Sequence, residues 1–335
     1  MSLFLSILSL IAIAGIVIVV ILLAWGFLQV RHLRSLAQCH TDLPITFEMT
    51  GDDDDSWASN EATSALIRSF EEKGFERVGH FNTPTFPDIK LIGWHHHSDT
   101  LRACLFHHPE LGEWIDLCGT TTDGIEVTLS NAPAGEQIRS RPDTEKIISK
   151  GLNLESLLRE WDHHIGAREL KPVTKSGFVE EVILSVQKDL DWNRQRCGVS
   201  EEEFREVASS MGLDDDDWVS SAYHDSKCAA MELWEVECIA ALQEKGTLSD
   251  ETWQAMGDQL FIFHESFPQQ AYAQYLARNL PFPSESDLLS AFEEAPPQAT
   301  LMQRLTQACT RTGIHIEEIG AVDTPISAKV IHWKQ

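Results

Sequence analysis

The chain has 335 residues, room for about two domains of ordinary size. Its 52 Asp and Glu against 26 Lys and Arg give a formal net charge of -26. That balance repels phosphate backbones and anionic headgroups, and sets nucleic acid aside as a partner. The seven cysteines are an odd number with no CxxC pair; they match neither a disulfide framework nor a zinc site and read as small core residues.

The chain opens on an apolar stretch, Leu3 to Leu28, that holds no ionisable side chain. About 20 apolar residues suffice to cross a hydrocarbon core, so residues 1–30 predict a transmembrane helix with Trp25 and Phe27 at headgroup level. Arg31, His32 and Arg34 follow, while the N-terminal flank has no Lys or Arg. The positive-inside rule then places the N-terminus outside and the C-terminal bulk in the cytoplasm. The expectation is a single-pass protein of the cell (inner) membrane, with the lipid bilayer as partner through residues 3–28.

Residues 31–55 read as a juxtamembrane linker ending in Asp52-Asp53-Asp54-Asp55. Contiguous acids suit a solvated link and a helix start; a calcium loop needs ligands at alternate positions. Residues 56–168 predict an α+β domain. Ala62, Ala65, Leu66, Ser69 and Phe70 repeat at helical spacing up to Gly74. Short apolar runs then predict strands near Phe75–His80, Lys90–His97, Leu101–His107, Trp114–Cys118 and Ile125–Ser130. Short turns make these an antiparallel meander. Residues 133–151 look like loop, and Leu152–Ile165 reads as a helix with Asn153 as its N-cap. The sheet is expected to have one face covered.

Residues 172–295 predict a helical domain, with amphipathic helices over Phe178–Arg196, after the capping box Ser200–Glu203, from Asp214 to Lys245, after Ser249 through Phe263, and over Tyr272–Leu280. Residues 298–335 add a helix and a β-hairpin. Their order, helix–Gly–strand–Gly–Thr-Pro–strand–Trp, matches residues 62–95, with Gly79 against Gly320 and Trp94 against Trp333. The predicted fold is thus a single N-terminal transmembrane helix, an α+β domain (helix, antiparallel meander, helix) and a mainly α-helical domain ending in a short β-hairpin. That hairpin, marginal alone, is expected to pair with the first sheet or with another copy.

The 14 histidines are the compositional feature that points to chemistry. His95 and His97 fall on one strand face and could supply two metal ligands, with His163 as a third. His107 stands roughly 23 Å along the strands and cannot share that ion. Nucleophilic catalysis has no GxSxG elbow; Cys104 and Cys118 sit in apolar strands, and there is no phosphate loop. Asp116, Asp123, Glu110 and Glu113 read as ordinary turn and strand charges. The aromatic series Trp192, Trp218, Trp234, Trp253, Phe261 and Phe263 reads as core, with a groove for a partner helix as the functional alternative. No motif implies a cofactor. The expected function is a membrane-tethered cytoplasmic protein-interaction or regulatory module that binds a protein partner; the alternative is a membrane-anchored metal-dependent hydrolase with a His-lined site on the sheet.

Overall fold

The computed structural model describes residues 46–52, 56–109, 111–133, 139–210, 215–280 and 284–335. The chain divides into a unit of Pro44–Trp192 and a unit containing Asn193–Gln335.

In the first unit the elements run β1 (Thr50–Gly51), a 3-10 turn (Ser56–Ser59), α1 (Glu61–Glu72), β2 (Phe75–Asn82), β3 (Lys90–His96), β4 (Arg102–His108), β5 (Gly112–Thr120), β6 (Glu126–Ser130), β7 (Thr144–Ile148) and α2 (Leu154–Ile165). The unit also holds most of α3 (Phe178–Gln195). The seven strands lie side by side in chain order. All neighbours are antiparallel except β6 and β7, which run parallel. Asn60 starts α1 by accepting the Thr63 N–H at 2.9 Å. Gly74 ends it at φ +86°, where a Cβ would collide with the His97 ring.

Alternation along the strands sorts the side chains into two different interiors. On one face Ile92, Trp94, Leu105, Ile115, Leu117, Val127 and Leu129 form an apolar core with Phe70 of α1 and Leu157 and Trp161 of α2. Phe70 stacks on Trp94 with ring centroids 4.8 Å apart. The opposite face carries Arg102, Cys104, Asp116, Glu126 and Ser130, and α3 lies over it. A Cβ on Gly93 would strike the Phe178 ring, so glycine is what lets the helix come this close. Arg102 pairs with Glu181 at 2.6 Å. Glu126 accepts from Arg141 at 2.9 Å, Lys188 at 2.9 Å and Ser185 at 2.7 Å.

Two expectations are corrected here. The sheet is covered on both faces: polar residues suggested a solvated surface, but they are paired beneath a helix. The stretch expected as loop over 133–151 contains β7, whose short half-buried pattern is no stronger than that of a turn.

In the second unit the order is α4 (Glu201–Ser210), α5 (Asp216–Glu244), α6 (Asp250–Met256), β8 (Leu260–Phe263), α7 (Gln269–Asn279), α8 (Glu285–Glu294), α9 (Leu301–Arg311), β9 (His315–Val322) and β10 (Ala328–Lys334). The strands form an antiparallel sheet in the order β8-β10-β9. The helix expected to run from Ser249 through Phe263 stops at Met256, and Leu260–Phe263 is a strand with all four residues buried. A short continuous apolar run suits a buried strand as well as a helix, and periodicity cannot separate them. This strand gives the C-terminal hairpin its pairing partner, with Val330 opposite Ile262.

The hairpins β2–β3 and β9–β10 share one irregularity. Val78 is an extra residue between Arg77 and Gly79, whose partners Trp94 and Gly93 are adjacent. Ile319 is likewise extra between Glu318 and Gly320, opposite Ile331 and Val330. Each bulge residue precedes a glycine, and each helix before its hairpin ends at a left-handed glycine, Gly74 or Gly313.

The membrane architecture is also corrected. Among the described residues no helix is long and apolar enough to cross a membrane. The 29-residue α5 has the length but carries eight Asp, Glu or Lys side chains among its residues. The single-pass design and the inner-membrane placement therefore form no part of the fold described; the stretch 3–28 lies outside the described residues.

Burial would raise the Glu126 carboxyl, but Ser185, Lys188 and Arg141 outweigh it and hold it down at about 2. Its folded value lies below the ordinary 4.5 of a glutamate, so its contribution to stability is present above pH 4.5 and is lost as pH falls toward 2. Glu126→Gln is expected to destabilise the protein by roughly 3 kcal/mol at pH 7, because two cations lose their carboxylate. Urea unfolding of both proteins at pH 7 and pH 3 measures this, with the gap shrinking in acid.

Candidate functional site

Two places present themselves, one in each unit. In the first unit the turn before Gly112 sets His107 directly opposite Glu113. Glu113 Oε1 accepts the Thr63 hydroxyl, stands 3.5 Å from Asn60 Nδ2 and lies 3.8 Å from His107 Nδ1. The His107 ring stacks on Trp57 at 5.0 Å. Asn131 Oδ1 accepts the Ile115 N–H at 2.6 Å, and its amide donates to Leu152 O at 2.8 Å. This pins the start of α2 to the sheet. Between these fixed points lies a groove of about 310 Å³, lined by Leu66, Leu105, Glu113, Trp114, Ile115, Asn131 and Gly151–Asn153.

In the second unit α5 buries one side: Val219, Tyr223, Cys228, Met231, Trp234, Cys238, Ile239 and Leu242. The other side bears Ala229, Leu233, Val236 and Ala240, all exposed. Leu233 is 42 % and Val236 65 % exposed. Steps of four, three and four residues put these side chains in one row. Glu232, Glu237 and Glu244 flank the row; Glu232 pairs with Arg278 at 3.1 Å.

The same unit buries several chemically capable groups. Lys227 is 2 % exposed, donates to Cys197 O, and is held down at about 8 by burial. Cys197 Sγ stands 3.7 Å from His264 Nδ1. Burial pushes this thiol up to about 12 and the imidazole down, so both stay neutral and no thiolate–imidazolium pair forms. Cys104 and Cys118 are likewise raised by burial, Cys118 to about 11.

The histidines singled out as ligands lie apart in their bonding. His95 is buried and its Nε2 donates to Val173 O at 2.8 Å. His97 falls just past the end of β3, and its Nδ1 donates to Gly74 O at 2.8 Å. His163 is exposed on the last turn of α2, and its neighbour His164 reaches Glu145 at 3.0 Å. Among the described residues no group of three or more His, Cys, Asp or Glu is placed to hold a metal ion. Of the aromatic series, Trp234, Phe261 and Phe263 are core, and Trp253 packs against it.

Sequence reasoning read Glu113 as an ordinary turn or strand charge, although the short turn at Pro109–Gly112 already implied its pairing with His107. It also passed over the row on α5, because apolar residues circle that helix and mask its exposed side. Comparison with known protein families, curated proteins and solved structures returns no match.

Glu235, beside Val236, accepts a hydrogen bond from the Tyr275 hydroxyl. Burial raises its carboxyl to about 7, the Tyr275 bond lowers it, and Glu232 and Asp258 raise it. The folded value is above the ordinary 4.5 of a glutamate, so the folded state binds the extra proton between the two, and stability falls as pH rises through that window. His224, His264 and His332 are lowered by burial and act in the opposite sense, so the informative quantity is a difference. Glu235→Gln is expected to gain about 2–3 kcal/mol over the wild type between pH 4.5 and pH 8. Urea midpoints at both pH values test this, and a constant difference would contradict it.

Proposed function

We propose that this protein acts by binding another protein, and that the row Ala229, Leu233, Val236 and Ala240 on α5 receives a basic amphipathic helix. The observation that carries this reading is that Leu233 and Val236, 42 % and 65 % exposed, stand in water on a helix whose far side is packed into a core. The row extends over roughly 16 Å at 1.5 Å per residue, about three turns. Its spacing is that of a helix–helix seam, and a helix laid along it would cover the two aliphatic side chains.

Charge selects the partner. Glu232, Glu237 and Glu244 occupy the flanking positions where seam helices exchange ion pairs. A second copy would bring the same acids and repel, whereas a helix with Lys or Arg at its flanks complements them. The whole-chain charge of -26 adds attraction at a distance. The hydrolase alternative gains no comparable support, since His95 and His97 are each bonded to a backbone carbonyl.

A fluorescent helical peptide with a Leu seam and Lys flanks is expected to bind the full-length protein, and its Glu-flanked counterpart to bind far more weakly. The variant Leu233→Ser/Val236→Ser should weaken the Lys peptide at least tenfold, about 1.4 kcal/mol, without changing the protein's circular dichroism. Equal binding by the variant would sink the proposal.

A further inference from the structure

We infer that the groove of the first unit is a binding site for a small organic ammonium, a primary amine on a short apolar body. The lining includes Leu66, Leu105, Ile115 and Leu152, and its polar side chains are Glu113, Asn131 and Asn153, the last engaged through Oδ1 as the N-cap of α2. The space, about 310 Å³, is at the lower end of the range that holds drug-sized ligands.

The polar groups differ in what they have left to give. Both ends of the Asn131 amide are committed, one to Ile115 N–H and the other to Leu152 O. Glu113 is committed through one oxygen only. Oε1 takes the Thr63 hydroxyl and faces His107 Nδ1 at 3.8 Å, while Oε2 has no protein hydrogen bond among the described residues. Thr63 is fully buried and Asn60 is held by its capping bond, so the carboxylate is oriented from behind. No Lys or Arg is among the residues lining the groove. A half-committed carboxylate in a groove with aliphatic walls is matched by a cation that donates hydrogen bonds and trails an apolar group. An anion would meet Glu113, and a neutral alcohol would gain the apolar walls without the charge.

Calorimetric titration of the full-length protein with phenethylammonium in 0.15 M salt tests this, with 2-phenylethanol as the neutral analogue. The salt screens the general acidity of the surface. Phenethylammonium is expected to bind at least tenfold more tightly than the alcohol. Glu113→Gln should remove that difference while the alcohol binds as before, and Leu66→Trp, which fills the channel and leaves the carboxylate, should abolish binding of both. Equal affinity for amine and alcohol, absence of amine binding, or amine binding unchanged in Leu66→Trp would each overturn the inference. The Leu66→Trp and alcohol comparisons hold even where Glu113→Gln does not fold.

Discussion

A carboxylate on an interior sheet face costs several kcal/mol to desolvate unless cations and donors surround it. Glu126 meets that condition with Arg141, Lys188 and Ser185, and the first unit is built around the result. Arg141 comes from the segment leading into β7, Lys188 and Ser185 from α3, and Glu126 from β6. One side chain therefore joins three separate stretches of chain. Arg102 with Glu181 repeats the arrangement farther along the same helix. The polar face is specific where the apolar face is merely stable: Ile92 or Leu117 would tolerate a shifted partner, but an ion cluster fixes the lie of α3 to within hydrogen-bond length.

The second unit meets a related constraint in its backbone. β8 is an edge strand with every residue buried, so its outward amide groups need partners other than water. Two phenols supply them. Ile262 N–H donates to Tyr275 Oη at 2.9 Å, and Tyr272 donates to Ile262 O at 3.1 Å. Tyr275 passes its own proton toward Glu235, which ties the sheet edge to α5. The exposed row on α5 thus belongs to a helix held rigidly from beneath, a suitable base for a binding surface.

Legibility in the sequence followed the strength of local signals. The strands from Phe75 to Ser130 announced themselves through turns such as Ser98-Asp99 and Thr122-Asp123-Gly124, and α2 through the Asn153 cap, whose side chain accepts the Ser156 N–H at 2.9 Å. The capping box at Ser200 is present in the structure, with Glu203 accepting the Ser200 N–H at 2.7 Å. What could not be read depended on distant partners. Nothing local marks Thr144–Ile148 as a strand, because its pairing is parallel and its partner lies beyond a long connection. Leu260–Phe263 has the composition of a helix turn until β10 is alongside. The polar face of the first sheet looked solvated, since the ion pairs that let it be buried join residues distant in sequence: Glu126 and Arg141 are 15 positions apart, and the pairs with α3 span 48 to 79. For the candidate sites, histidine clustering drew attention to His95 and His97, whereas the half-committed acid at Glu113 emerged only from the cross-strand register.

The paired irregularity at Val78 and Ile319 bears on how much length change each hairpin can absorb. Side chains alternate between faces, so one added or lost residue turns over everything beyond it. In β2 the extra residue separates the half that sets Phe75 in the core, at 4 % exposure, from the half that begins at Gly79; in β9–β10 it separates the half that pairs Val330 with Gly320 from the half that pairs Trp333 with Ile316. Excising Val78 or Ile319, by contrast, would close the bulge, set Arg77 beside Gly79 and Glu318 beside Gly320, and leave both halves of each strand paired on their present faces. Each bulge is in this sense a slack link, a single residue whose loss restores unbroken alternation at the very position where the ladder looks least regular.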